Sequence, residues 1–148
     1  MDTRFEQKID IKAKPQKVFD FLTTPEKIPL VLPSLIENTN VSELPLRKSS
    51  TFDWHYQMYG VKLKGKWEVT EIAAPTRYAA RTTGDTESTW DYRLEETGGG
   101  TRVHVTVEYA TPRSVLGKAG LAVVQQLNRK ELDAYLSNLK TVLEMQES

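Results

Sequence analysis

The chain has 148 residues, 39% of them hydrophobic and 27% charged, which is the size and balance of one globular domain. Lysine plus arginine equals aspartate plus glutamate at 20 each, so no overall field favours nucleic acid or an anionic membrane. The absence of cysteine excludes disulfides, thiolate nucleophiles and zinc–sulfur sites; with no apolar leader in MDTRFEQKID and no membrane-spanning run, a cytoplasmic protein without stable membrane association is expected.

RFEQKIDIKA alternates around Phe5, Ile9 and Ile11 and reads as a first strand. The period then changes: Pro15 suits a first helical position, and Val18, Phe19 and Leu22 form a helical stripe. A second short helix is expected from Thr24-Pro25-Glu26, carrying Ile28, Leu30, Val31 and Leu32 until Pro33 stops it. This segment is too rich in proline for a long helix and too apolar to stand in water, so it must lie against an apolar surface.

Six further strands are expected near 35–44, 50–59, 61–72, 77–83, 87–96 and 101–110, separated by turn residues. Each has a heavy parity: Phe52, Trp54, Tyr56 and Met58; Tyr78, Ala80 and Thr82; Trp90, Tyr92 and Leu94; Val103, Val105, Val107 and Tyr109. The other parity is charged or hydroxylated, so the ribbon has one dry and one wet face. In GVKLKGKWEV the lysines alternate with Val61, Leu63, Gly65, Trp67 and Val69. Thr111-Pro112 then opens a long helix to about Glu144, roughly 50 Å if straight. Its early apolar stripe (Leu116, Ala119, Val123, Val124, Leu127) is rotated from its later one (Leu132, Tyr135, Leu136, Leu139, Val142, Leu143). Either it crosses a twisted sheet or it bends near Gly117 and Gly120.

The order is that of a single α+β domain over residues 1–148. Four stretches, IDIKAKPQKVFDFLTTPEKIP (9–29), GKWEVTEIAAPTRYAART (65–82), STWDYRLEETGGGTRVHVTVEY (88–109) and LNRKELDAYLSNLKTVLE (127–144), resemble the START-like (SRPBCC, helix-grip) superfamily and, within it, the polyketide cyclase/dehydrase-type branch. The resemblance implies a seven-stranded antiparallel sheet curved around a long C-terminal helix, with two short helices after the first strand. It also implies an internal hollow that holds a small hydrophobic or amphipathic molecule, of lipid, polyketide or aromatic type. Some relatives catalyse ring closure or dehydration there and others only carry ligands; an interaction module with a vestigial pocket is a further alternative.

Small residues near the helix start (Gly117, Ala119, Gly120, Ala122, Val123) facing Gly65, Ala80 and Thr82 would leave volume, with Gly65 keeping the pocket open. On the sheet the expected wall comprises Trp54, Tyr56, Met58, Leu63, Gly65 and Trp67, then Tyr78, Ala80, Thr82, Trp90, Tyr92 and Tyr109. From the helix it takes Leu116, Gly120, Val123, Val124, Leu127 and Asn128. An aromatic stripe by itself is ordinary core. Four inward tyrosines need hydrogen-bond partners, either water at the rim or a polar group of a ligand. The segment 28–35 and the turn at Tyr59-Gly60 are the expected entrance.

Asn128 and Glu131 interrupt the apolar sector of the last helix. Glu131 either pairs with a sheet arginine or acts as a proton acceptor, with Tyr56 or Tyr92 as its acid–base partner in a cyclase- or dehydratase-like enzyme. No other catalytic set stands out. His55 and His104 fall on the wet parity, no metal site is supported, and no cofactor is implied. TGGG at 97–100 lies between strands, so it reads as a hairpin turn rather than a phosphate cradle.

Overall fold

The computed structural model describes residues 1–147. Strand β1 (Thr3–Ile11) leads into helix α1 (Pro15–Leu22) and a 3₁₀ helix (Pro25–Leu30), each opened by its proline. Strands β2 (Leu35–Thr39), β3 (Thr51–Met58), β4 (Val61–Ala73), β5 (Arg77–Gly84), β6 (Ser88–Thr97) and β7 (Gly100–Tyr109) follow. Helices α2 (Arg113–Leu116) and α3 (Leu121–Glu147) close the chain. The seven strands form one sheet in the order β1-β7-β6-β5-β4-β3-β2, antiparallel at every step.

The expected strands form, with one boundary corrected. The strand expected over 35–44 ends at Thr39, because Asn40 turns the backbone into the left-handed region at φ 53°. The alternation is real: on β7, Val103, Val105, Val107 and Tyr109 are buried while the residues between them are partly exposed. Register shifts at Val69/Glu71 on β4 and Leu35/Glu37 on β2 add the local bend that such irregularities impose on a strand.

The single 50 Å helix is also corrected. The chain makes one short turn at 113–116, breaks across 117–120 and restarts at Leu121. The bend expected near Gly117 and Gly120 is a full interruption. Past the break, α3 carries the end of the early stripe and all of the later one, of which Leu132, Tyr135, Leu136, Leu139 and Leu143 are buried. Leu116, Val123 and Leu127 are exposed by 37%, 47% and 42%, so of the early stripe only Val124 is buried.

Polar pins hold α3 along its length, about one per turn. Gln125 donates to Thr3 Oγ1 and Asn128 to Tyr109 Oη; Glu131 accepts from Ser34; Asn138 donates to the Val31 carbonyl. Further along, Lys140 Nζ reaches the Asp10 carbonyl, and Glu144 accepts from the Lys12 amide. The first of these pins reaches one end of β1 and the last two reach its other end.

Candidate ligand-binding site

Between the aromatic face of the sheet, the 3₁₀ segment and the middle of α3 lies a hollow of about 140 Å³. Its walls are Trp54, Tyr56 and Met58 of β3, Trp67 of β4, Tyr78 and Thr82 of β5, Trp90 and Tyr92 of β6, and Tyr109 of β7. From α3 come Asn128, Glu131, Leu132 and Tyr135. A broader cleft adjoins it, lined by Ser34, Tyr56–Tyr59 and Val124, Leu127, Asn128, Lys130, Glu131 and Ala134. Tyr56, Met58, Asn128 and Glu131 line both spaces, so these four side chains stand between interior and opening. The turn at Tyr59 and the end of the 28–35 segment therefore flank the opening.

Of the residues expected to form the wall, ten line the hollow: Trp54, Tyr56, Met58, Trp67, Tyr78, Thr82, Trp90, Tyr92, Tyr109 and Asn128. Val124 and Leu127 line the outer cleft. Leu63, Gly65, Ala80, Leu116, Gly120 and Val123 line neither space. Leu116, Gly120 and Val123 are all exposed, and the small residues at the helix start enclose no volume. For Gly65 the reason is packing. It is the register partner of Trp54, and a Cβ built on it would stand 2.5 Å from Trp54 Cζ2 and inside the Thr83 carbonyl oxygen. The gap in the dry parity is filled by an indole ring of the protein, and the facing Gly84, at φ 113°, lets β4 and β5 approach closely there.

Several wall residues were not among those expected. Leu22, Pro25, Ile28, Leu32 and Leu35 cover the hollow from the first half of the chain, and Tyr135 and Ser88 enter from α3 and β6. The apolar, proline-rich composition of 25–35 was the available signal for the first group. Ser88 reads as an ordinary strand residue, and nothing in its neighbourhood marks it.

The four inward tyrosines, expected at a wet rim or against a ligand, find partners within the protein. Tyr92 Oη and Tyr135 Oη lie 2.7 Å apart, Trp67 Nε1 donates to Tyr78 Oη at 3.0 Å, and Asn128 Nδ2 donates to Tyr109 Oη at 2.8 Å. Tyr56 lies beside Ser34 and Glu131, both of which act on its phenol. Burial pushes the phenols of Tyr56, Tyr78, Tyr92 and Tyr135 well above their ordinary value; at Tyr56 the nearby Glu131 charge adds to it. All four are neutral hydrogen-bonding groups at physiological pH.

Among the described residues Glu131 has no arginine partner, and its carboxylate is taken up by Ser34. Ser34 donates its backbone N–H to Oε1 at 2.6 Å and its hydroxyl to Oε2 at 3.0 Å. On the wet face of β4, Lys66 pairs outward with Asp53 at 3.4 Å. No helix among the described residues is long and apolar enough to cross a membrane.

A curled antiparallel sheet gripping one long helix over an aromatic-walled hollow defines the class. The sequence matches the model of the family described as polyketide cyclase / dehydrase and lipid transport over residues 2–144, and the chain belongs to that family. None of the curated proteins compared with the sequence matched it. Among solved structures, the chain is similar to TTHA0849 from Thermus thermophilus (TM-score 0.81, 19% identity, 99% of this chain and 100% of that one). It is also similar to a START superfamily protein from Mycobacterium smegmatis (0.74, 14%, 97% and 98%) and to Ara h 8.0201 (0.69, 16%, 95% and 97%). At these identities the likeness concerns the helix-grip fold. Family and fold are consistent with a domain that binds a hydrophobic ligand.

Proposed function

We propose that the protein binds a small hydrophobic or amphipathic molecule in the hollow between the sheet and α3, and that binding rather than catalysis is its activity. The observation that carries this reading is the wall itself: three tryptophans and five tyrosines around an interior hollow, beside a cleft that opens between β3 and α3. Burying a few hundred Å² of apolar ligand surface at about 25 cal/mol per Å² supplies several kcal/mol toward binding before ordering costs. Against a cyclase or dehydratase stands the state of Glu131. Both of its oxygens already accept hydrogen bonds from Ser34, which suits a strut better than a base.

Native mass spectrometry of the protein purified from its own source, followed by a thermal-shift panel of lipids, aromatic polyketides and simple arenes, tests the proposal. A co-purified lipophile, or a saturable stabilisation by one class, is the expected result. No adduct and no shift across the panel refutes it.

A further inference from the structure

The hollow of about 140 Å³ suits a single ring, and the cleft beside it, about 490 Å³, is the larger space. Four side chains line both: Tyr56, Met58, Asn128 and Glu131. Three of them are fixed. Both oxygens of Glu131 accept from Ser34, at 2.6 and 3.0 Å. Asn128 Nδ2 donates to Tyr109 Oη at 2.8 Å. Tyr56 lies within β3, paired with Leu63 on one side and Leu35 on the other, its phenol desolvated beside Glu131. Met58 has no comparable hold. Among the described residues its one polar contact is Asn128 Nδ2, 3.9 Å from Sδ, and a thioether is a weak acceptor. It is the last residue of β3, where the ladder ends at the Met58–Val61 pair and the chain turns through Tyr59 and Gly60. An unbranched, flexible side chain changes rotamer there at little cost.

On the cleft side, apolar surface stands uncovered. Leu127 of α3 and Tyr59 of the turn both line the cleft and are exposed by 42% and 40%. Val124 and Ala134 extend that lining along α3. We infer that Met58 is the gate of the site and sets the shape of its ligand. With its side chain swung aside, hollow and cleft become one space, which takes a single ring inside and a flexible apolar chain running out past Met58 onto Leu127 and Tyr59. The aromatic face has no such freedom, because its rings are packed on one another. Asn128 keeps its bond to Tyr109 when the contact to sulfur is lost, so opening leaves no strong hydrogen bond unmade. The inference rests on the proposed binding function and names the residue that selects the ligand.

The probes are ethylbenzene, butylbenzene and hexylbenzene, titrated into wild type, Met58→Ala and Met58→Leu. In wild type the dissociation constant should fall about threefold for each methylene beyond ethyl, as the chain is buried in the cleft. A fixed wall at Met58 would instead reverse the trend once the hollow is full. Met58→Ala removes the gate, so the association and dissociation rates of ethylbenzene should both rise about tenfold while their ratio moves by less than about threefold. A methionine that only packs would change the ratio without raising both rates together. Met58→Leu, similar in volume but branched and stiffer, should slow both rates about twofold. The chain has three methionines, and in wild type butylbenzene should shift the methyl resonance of Met58, assigned by its loss in Met58→Leu. If Met58→Ala fails to fold, Met58→Leu and that resonance carry the test. Affinity that peaks at ethylbenzene, exchange rates equal in all three proteins, or an unmoved Met58 methyl overturns the gate and leaves the binding function standing. If no arene binds, the gate inference falls, and a native mass spectrum without an adduct then removes the binding function with it.

Discussion

Replacing Gly65 with alanine separates two accounts of the same glycine: one in which it faces a ligand, and one in which it seats an indole. An added Cβ would lie 2.5 Å from Trp54 Cζ2, 2.7 Å from Cε2 and in overlap with the Thr83 carbonyl oxygen. Carbon contacts settle near 3.5–4.0 Å, so the ring must retreat by about an ångström. The carbonyl is harder to move, because Thr83 pairs with Lys66 in the β4–β5 ladder. Overpacking of this kind costs about 1–3 kcal/mol, and each disturbed ladder bond about 1 kcal/mol more. Removing a glycine from the unfolded chain returns about 0.4–1 kcal/mol. The net expectation is a loss of about 2–3 kcal/mol, a fall in Tm of roughly 5–10 °C for a chain of this length. Urea denaturation with thermal melts measures it, and Gly120→Ala is the control. Nothing lies within 4 Å of a Cβ at Gly120, so that variant should stay within about 0.5 kcal/mol of wild type. A Gly65→Ala protein as stable as wild type would refute the packing account.

Three other outcomes are expected. Tyr78, Tyr92 and Tyr135 are held by burial above the ordinary 10.0; their contribution is complete below pH 10 and is lost as pH rises further, because the unfolded chain then sheds phenol protons that the fold keeps. Each should steepen the alkaline fall in stability by about 1.4 kcal/mol per pH unit, and Tyr135→Phe should lessen the slope measured by denaturation between pH 9.5 and 11.5. Glu131→Gln keeps a side chain that can bond Ser34 but loses the charge: about 1 kcal/mol of stability should go, ligand affinity should hold within about threefold, and Tyr56 should titrate at lower pH in ultraviolet absorbance, since the Glu131 charge helps to raise it. Val107→Phe, pointing into the hollow from β7, should abolish ligand-induced thermal shifts, while Val123→Trp, 47% exposed and outside both spaces, should leave them intact.

The strands were legible because a period of two is a direct consequence of one dry face, and seven such segments with short turns leave few topologies. Asn128 and Glu131 were legible for the same kind of reason: a polar residue inside an apolar helical sector must have a partner, and each has one. The identity of the partner was not legible. Ser34 lies 97 positions from Glu131, and a loop serine carries no periodicity that would point to it. The helix break was half visible in Gly117 and Gly120, but a glycine pair permits a bend and an interruption equally, and only tertiary packing decides. Gly65 misleads for a deeper reason. A small residue in a pattern reports missing volume on its own chain, while whether a neighbouring ring takes that volume depends on register, which pairs Gly65 with Trp54.

The hollow has an energetic consequence that bears on why it persists. Around such a space the wall side chains forgo the packing contacts that a filled core would give them. Collapse is the usual remedy, and here the walls resist it. Trp67 stacks on Phe52 with ring centroids at 5.5 Å, Tyr78 on Tyr92 at 5.7 Å, and Trp90 meets Tyr135 edge-on at 6.3 Å, so the aromatic face is braced ring against ring. The Tyr92–Tyr135 bond then ties the helix to the sheet, Glu131 ties it to the loop at Ser34, and together they hold the roof at a set height. A guest that fills the space gains contacts with walls that need no reorganisation, so preorganisation favours binding.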